Sequence, residues 1–143
     1  MRLVVDGYNM IHAWKDLRPL LDVSLEEARE VLIERLGVFA LVDGMEVTVV
    51  FDAHRRPDSR ASEQERGGVR VLFSGGRSAD HVIERLAYLA RDADELLTVA
   101  TSDGFQRALV RGMGMPVIDA AELEQRVLAA EAELARRVRQ YGR

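Results

Sequence analysis

Short apolar runs alternate along the chain with longer segments in which apolar residues recur at helical spacing. The runs lie at residues 3–5, 47–51, 69–73, 96–100 and 115–118. Strands that alternate with helices predict right-handed crossovers and a parallel sheet. We therefore predict a single α/β domain over residues 1–143, a three-layer sandwich with helices on both faces of a central parallel sheet.

The predicted helices have recognisable starts and ends. Ser24 and Glu27 have the form of a capping box, and Asp43 and Gly44 end the helix that follows. The apolar residues of that helix recur at helical spacing: Leu25, Ala28, Leu32, Leu36 and Phe39. Further helices are predicted after Ser78, around residues 105–111, and at about 121–141. Residues 9–22 are predicted to form a loop or a short helix.

Residues 54–68 break this alternation because they are polar, rich in arginine and without periodicity. The segment is long for a connection between a strand and a helix in a compact domain, and such loops are often functional. We predict that it is a flap over the substrate.

Composition excludes several classes of function. The 143 residues are 48% apolar, enough for one core, and contain no cysteine. Disulfide scaffolds, zinc–thiolate sites and thiol nucleophiles are therefore excluded. No apolar run approaches the roughly 20 residues that cross a bilayer, and the chain starts in a strand without a signal-like leader. We expect a cytoplasmic protein with no membrane partner.

Acidic residues follow the apolar runs. Asp6, Asp52 and Asp103 come after predicted strands, and Asp80 and Glu84 lie one turn apart near the start of a predicted helix. Because ligands of open α/β sheets bind beyond the carboxyl ends of the strands, these acids are expected to converge on one crevice. Carboxylates without thiols predict a site for a hard cation such as Mg²⁺ or Mn²⁺.

Each acid also has a structural interpretation. Asp80 has the position of a first-turn helix acid, Asp103 that of a helix N-cap and Asp52 that of a turn residue. Glu84 is more typical of a solvated helix face. Asp6 differs, because a charge at the end of a central strand is costly unless it is paired or bound to metal.

Arginines offer candidate phosphate contacts although the net charge is −4. Lys15 is the only lysine, so a compositional preference for arginine explains their total number. Arg55, Arg56 and Arg77 nevertheless lie near the predicted site, and arginine binds phosphate in a bidentate manner. Tyr8 is a candidate for base stacking or for packing beside the turn.

The motifs together resemble a known family. Asp-Gly-Tyr-Asn at residues 6–9, Phe-Asp-Ala at 51–53, Ser-Ala-Asp at 78–80 with Ile83-Glu84, and Thr-Ser-Asp at 101–103 are similar to the NYN domains of the PIN-like nuclease superfamily, most closely the YacP-like bacterial branch. Each motif alone is weak, but four in the same order across nearly the whole chain are specific.

The resemblance implies a metal-dependent ribonuclease, an endoribonuclease, that acts on messenger or ribosome-associated RNA with Mg²⁺ or Mn²⁺. The acids suit phosphodiester hydrolysis, because carboxylate-held cations stabilise charge on the attacking and leaving oxygens. The metal set is then Asp6, Asp52, Asp80 and Asp103. Asn9 completes the catalytic set by orienting a water, carboxylate or phosphate oxygen. Glu84 and Ser102 are assigned to a second metal or to the surroundings of the first.

Other functions remain open. The same fold without turnover would be an RNA- or ribosome-binding module. Phosphatase or response-regulator chemistry on a parallel sheet normally uses a lysine late in the chain, which is missing here. The final helix carries a stripe that suits either core packing or a homodimer: Leu123, Val127, Leu134, Val138 and Tyr141.

Overall fold

A computed structural model of the protein describes residues 1–53 and 61–142. Its strands are β1 (Arg2–Asp6), β2 (Glu46–Phe51), β3 (Ser62–Arg66), β4 (Val69–Phe73), β5 (Leu97–Ala100) and β6 (Val117–Ile118). Its helices are α1 (Gly7–Ala13), α2 (Leu25–Asp43), α3 (Ala79–Asp92), α4 (Gly104–Gly112) and α5 (Ala120–Tyr141), with a 3₁₀ helix at Arg18–Asp22.

The strands form one six-stranded sheet in the order β3-β4-β2-β1-β5-β6. All neighbouring strands are parallel except β3 and β4, which are antiparallel. Strand β1 therefore lies between β2 and β5, and the carboxyl ends of all three meet at one edge of the sheet. The predicted α/β sandwich is confirmed, with an antiparallel edge strand added to it.

The two faces of the sheet carry separate cores. Leu3 and Val5 of β1 point into a core shared with α1, α2 and α5. Val4 points the other way, into a core shared with α3 and α4. Successive side chains of a strand alternate between faces, so the apolar run of residues 3–5 in β1 is explained by burial on both sides.

Strand β3 corrects the prediction of a loop over residues 54–68. Residues 62–66 pair with β4, and Gly67 and Gly68, with φ of 56° and 82°, form the connecting turn. The strand lies at the edge of the sheet with mostly exposed side chains, so it needs no apolar alternation. Residues 54–60, the first seven of the fifteen residues in the predicted flap, lie outside the described part of the chain.

Helix α1 begins immediately after Asp6, earlier than the loop or short helix predicted from residue 9. The close packing at Gly7 explains this tight junction. A Cβ atom at Gly7 would lie 2.4 Å from the Phe51 ring and 3.0 Å from the carbonyl oxygen of Val50. Glycine therefore lets α1 begin against β2.

The other helix predictions are confirmed at their ends. The Ser24 side chain accepts a hydrogen bond from the Glu27 N–H at the start of α2, and Gly44 ends the helix with a left-handed φ of 64°. Four of the five predicted apolar residues of α2 are buried, whereas Leu25 is exposed. In α5, Leu123 and Val127 are buried but Val138 and Tyr141 are exposed, so only the first half of the stripe packs against the core.

The helices within residues 1–53 and 61–142 were also compared with the requirements of a membrane span. None of them is both long enough and apolar enough to cross a bilayer.

Candidate active site

Acidic residues from both sides of β1 come together at the carboxyl edge of the sheet. Asp6 ends β1, Asp52 follows β2, and Asp103 follows β5 as the N-cap of α4. Asp80 joins them from the first turn of α3. The carboxylates of Asp80 and Asp103 both act electrostatically on Asp6, and Asp52 and Asp103 both act on Asp80. Asp6, Asp52 and Asp103 therefore converge because the order of the strands places the ends of β2 and β5 on either side of β1.

The Asp6 carboxyl is the most perturbed of these groups. Burial and the negative charge of Asp80 raise its pKa from 3.8 to about 6, and Asp103 adds a smaller upward effect. The backbone N–H of Asn9 and the hydroxyl of Thr101 act in the opposite direction. Burial, followed by the charges of Asp103 and Asp52, also raises the pKa of Asp80. Like charges thus accumulate in a place where water stabilises them poorly.

Thr101 connects two of the acids. Its buried hydroxyl donates to Asp6 Oδ2 at 3.3 Å and accepts from the backbone N–H of Asp103 at 3.2 Å. The hydroxyl therefore fixes the Asp6 carboxylate relative to the turn that carries Asp103.

Gln106 connects Asp103 to Asp80. Its backbone N–H donates to Asp103 Oδ1 at 2.9 Å, and its side-chain Nε2 donates to Asp80 Oδ1 at 3.0 Å. Asp103 is thus an N-cap, as its structural interpretation predicted. Its carboxylate also belongs to the acid cluster, which consists of Asp6, Asp52, Asp80 and Asp103.

Asn9 and Ser102 link α1, β5 and α5. The backbone N–H of Ser102 donates to Asn9 Oδ1 at 2.8 Å, and Ser102 Oγ accepts from the Ala120 N–H at 2.9 Å. The Asn9 oxygen and the Ser102 hydroxyl therefore both hold the polypeptide in place. Among the described residues, no acceptor contacts the NH₂ group of Asn9.

The chain around Asp52 is anchored by a buried serine. Ser74 Oγ accepts from the Ala53 N–H at 2.9 Å, and the Ser74 N–H donates to the Phe51 carbonyl at 3.0 Å. These two bonds join the ends of β2 and β4, and so they fix where Asp52 leaves the sheet.

The candidate RNA contacts have different surroundings. Arg77 is exposed, and its Nη1 lies 3.1 Å from His81 Nε2 at the start of α3. Tyr8 packs on the Phe51 ring with 5.4 Å between centroids, and its hydroxyl accepts from Arg29 at 2.9 Å. Glu84 lies one turn after Asp80, partly buried. Arg55 and Arg56 lie outside the described residues.

Two arginines of the β3–β4 hairpin lie away from the acids. Arg66 is at the opposite edge of the sheet, where it forms an ion pair with Glu30 of α2. Arg70 pairs with Glu63 across the β3–β4 hairpin. Arg66 is close to the acids in sequence but not in space, because β3 leads the chain back to the amino end of β4.

The donor chemistry around Asp6 fits a divalent cation. The groups are hard oxygen ligands, and no Lys or Arg of the described residues contributes to the shifted pKa values of Asp6 and Asp80. Their spacing is looser than that of a formed site: within residues 1–53 and 61–142, no three His, Asp or Glu side chains stand close enough together to hold a metal ion. A cation would have to draw these carboxylates closer.

Thr101 and Gln106 were assigned no role in the active site from sequence. The signal for Gln106 was its spacing four residues before Val110, which places an amide on the buried stripe of α4. Thr101 lies two residues after Val99 at the end of β5, and it is likewise fully buried. In both cases the signal was a polar residue at a position where the pattern of the element predicts a buried side chain.

Comparisons with known proteins identify the family and agree with the fold. The model of the YacP-like NYN domain family matches residues 3–143. Uncharacterized protein YacP of Bacillus subtilis (strain 168) is 39% identical over 138 residues, which are 96% of this chain and 81% of that protein.

Crystal structures of Rae1 (YacP) from Bacillus subtilis are also similar to this fold. One superposes with a TM-score of 0.83 at 38% identity, covering 98% of this chain and 80% of that one. Its W164L mutant gives a TM-score of 0.82 at 38% identity, with coverage of 98% and 82%.

Proposed function

Because this chain belongs to the YacP-like NYN domain family, we propose that it is a metal-dependent ribonuclease that hydrolyses RNA phosphodiester bonds. Membership of this nuclease family suggests the reaction class. The residues proposed to perform the reaction are Asp6, Asn9, Asp52, Asp80 and Asp103, with Mg²⁺ or Mn²⁺ as the cofactor.

The observation that carries the proposal is the state of Asp6. The carboxyl of Asp6 lies at the end of the central strand and is 9% exposed, and its pKa is raised to about 6 first by burial and then by the negative charges of Asp80 and Asp103. Such an arrangement reduces the stability of a metal-free protein, and functional sites are where perturbed carboxyls concentrate. A cation bound by these acids would relieve the repulsion.

The roles of the residues follow from their contacts. A divalent ion held by Asp6, Asp80 and Asp103, with Asp52 beside them, would supply charge neutralisation at the phosphate and a more acidic attacking water. Thr101 keeps Asp6 oriented through the hydroxyl bond to Oδ2. The Asn9 NH₂ group is placed to donate to a phosphate or water oxygen. Arg77, exposed at the rim, is proposed to contact a neighbouring phosphate.

A second candidate is an RNA- or ribosome-binding module without turnover. It is favoured by the spacing of the acids, since the described residues contain no group close enough to hold a metal as they stand. The two candidates differ in one measurable outcome, which is whether bound RNA acquires new ends.

The test is incubation of the purified protein with mixed cellular RNA and Mn²⁺, followed by sequencing of the new 5′ ends. We expect discrete metal-dependent ends that disappear with chelator and in Asp6→Asn, which is nearly isosteric but lacks a ligating charge. RNA that is bound without being cut by the wild-type protein would leave the binding module as the function.

A further inference from the structure

Gln106 is a buried polar residue at the centre of the acid cluster. Its side chain is 1% exposed, yet it belongs to α4, most of whose other side chains are partly or fully exposed. The amide Nε2 donates to Asp80 Oδ1 at 3.0 Å, and this bond connects α4 to α3. The orientation of the amide is fixed by chemistry, because the opposite one would set two acceptor oxygens against each other.

The rest of the Gln106 amide is not satisfied. Its Oε1 is buried and has no hydrogen-bond partner among the described residues. An unsatisfied buried acceptor costs stability, so an apolar side chain of similar size would suit the core at this position at least as well. Among the described residues, the hydrogen bond to Asp80 is the only one that the Gln106 side chain makes.

That bond bears directly on the geometry of the site. Asp80 is a partly exposed carboxylate on the first turn of a helix, where water alone would leave it free to change rotamer. Asp103 is already held by the backbone N–H of Gln106, a contact that any residue at this position retains. The side chain of Gln106 thus adds control over Asp80 alone.

We propose that Gln106 is a positioning residue that holds the Asp80 carboxylate in the orientation needed to share a divalent cation with Asp6. The inference rests on the proposed function, since it assumes that these acids bind metal. Gln106 itself touches neither substrate nor cation. Residues that hydrogen-bond to metal-binding carboxylates typically change metal affinity or activity by about 10–100-fold when they are replaced.

The test compares Gln106→Leu with the wild type in two measurements without RNA: calorimetric titration with Mn²⁺, and thermal melting of the metal-free protein. We expect Mn²⁺ affinity to fall by roughly 10-fold or more. The metal-free melting temperature should stay the same or rise, because the orphaned acceptor is removed and water can solvate the exposed Asp80. Gln106→Met, which also lacks the donor, provides a second variant in case leucine prevents folding.

Val110→Ala is the matched control, since it removes buried volume from α4 and its side chain cannot hydrogen-bond to an acid. It should lower the melting temperature and leave Mn²⁺ affinity unchanged. In an Asp80→Asn background, Gln106→Leu should lower affinity less than twofold further, because its effect passes through Asp80.

A variant at Gln106 that melts lower, as Val110→Ala does, and keeps wild-type Mn²⁺ affinity would overturn the inference and leave the proposed function standing. An equal loss of affinity in both backgrounds would overturn it as well. If the wild-type protein binds no Mn²⁺, the metal-dependent function fails, and the role of Gln106 fails with it.

Discussion

At the scale of single residues, Asp6 makes the stability of the metal-free protein depend on pH. Its pKa is about 6 in the folded chain and 3.8 ordinarily. Between these values the folded protein holds a proton that the unfolded chain has released, so stability falls as the pH rises from about 4 to about 6. The loss amounts to as much as about 3 kcal/mol at neutral pH.

Asp6→Asn should therefore stabilise the metal-free protein at pH 7 by up to about 3 kcal/mol. Asparagine cannot ionise, so the dependence on pH between 4 and 6 that Asp6 causes should disappear as well. Urea unfolding with chelator from pH 4 to pH 7 measures both effects. A variant with the wild-type pH profile would show that Asp6 is not the group that titrates.

At the scale of elements, the junction between β1 and α1 depends on Gly7. We expect Gly7→Ala to destabilise the protein by about 1–3 kcal/mol, because the new Cβ would overlap the Phe51 ring and meet the Val50 carbonyl. The proposed nuclease activity should fall too, since a shifted α1 displaces Asn9 and the end of β1 that carries Asp6. Denaturant melts and cleavage rates report the two effects.

Gly112→Ala is the control for this prediction. Gly112 ends α4, and nothing lies within 4 Å of a Cβ built there. Its replacement should be neutral or stabilise the protein by about 0.4–1 kcal/mol through the unfolded state. Equal effects of the two substitutions would contradict the close packing at Gly7.

At the scale of the whole molecule, metal binding should couple to folding. Free Mn²⁺ at 100 times its dissociation constant should stabilise the folded state by about 2.7 kcal/mol, a rise in melting temperature on the order of 10 °C. Asp80→Asn should leave the metal-free protein at least as stable as wild type, because it removes one repelling charge. It should also blunt both the metal response and cleavage.

Asp92→Asn, at the other end of α3, is the matched control and should keep the full response to metal. Scanning calorimetry with and without Mn²⁺ compares the three proteins. If the Asp80→Asn protein without metal melts at a lower temperature than wild type, and Mn²⁺ raises its melting temperature as much as that of wild type, then Asp80 has a structural role in α3.

Charge distribution gives a second prediction at this scale. Replacing Arg55 and Arg56 with alanine should weaken RNA binding. Each lost phosphate contact should reduce the magnitude of the slope of log K against log salt concentration by roughly 0.7 for single strands. The control is Arg91→Ala with Arg111→Ala, at the far ends of α3 and α4. Both pairs remove two positive charges from a net charge of −4.

Binding titrations over a range of salt concentrations separate local contacts from overall charge. If the two pairs change the salt dependence equally, net charge explains the effect and the proposed contacts at Arg55 and Arg56 are wrong.

The sequence by itself determined five of the six strands, the long helices and the location of the acids at the ends of strands. Residues 3–5 of β1 are all apolar because both faces of the strand are buried. The ends of α2 are marked by the capping side chain of Ser24 and the left-handed φ of Gly44, both of which depend on neighbouring residues in sequence. Local signals of this kind act over a few residues. They are sufficient to place Asp6, Asp52 and Asp103 after strands that the α/β pattern makes parallel.

Only the tertiary structure decided which groups contact those acids. The bonds from Thr101 to Asp6 and from Gln106 to Asp80 span 95 and 26 positions of sequence. Strand β3 was missed for a related reason: it has no apolar face, and its existence depends on pairing with β4. Burial, hydrogen bonding and mutual repulsion depend on distances in space, and the order of the strands sets those distances.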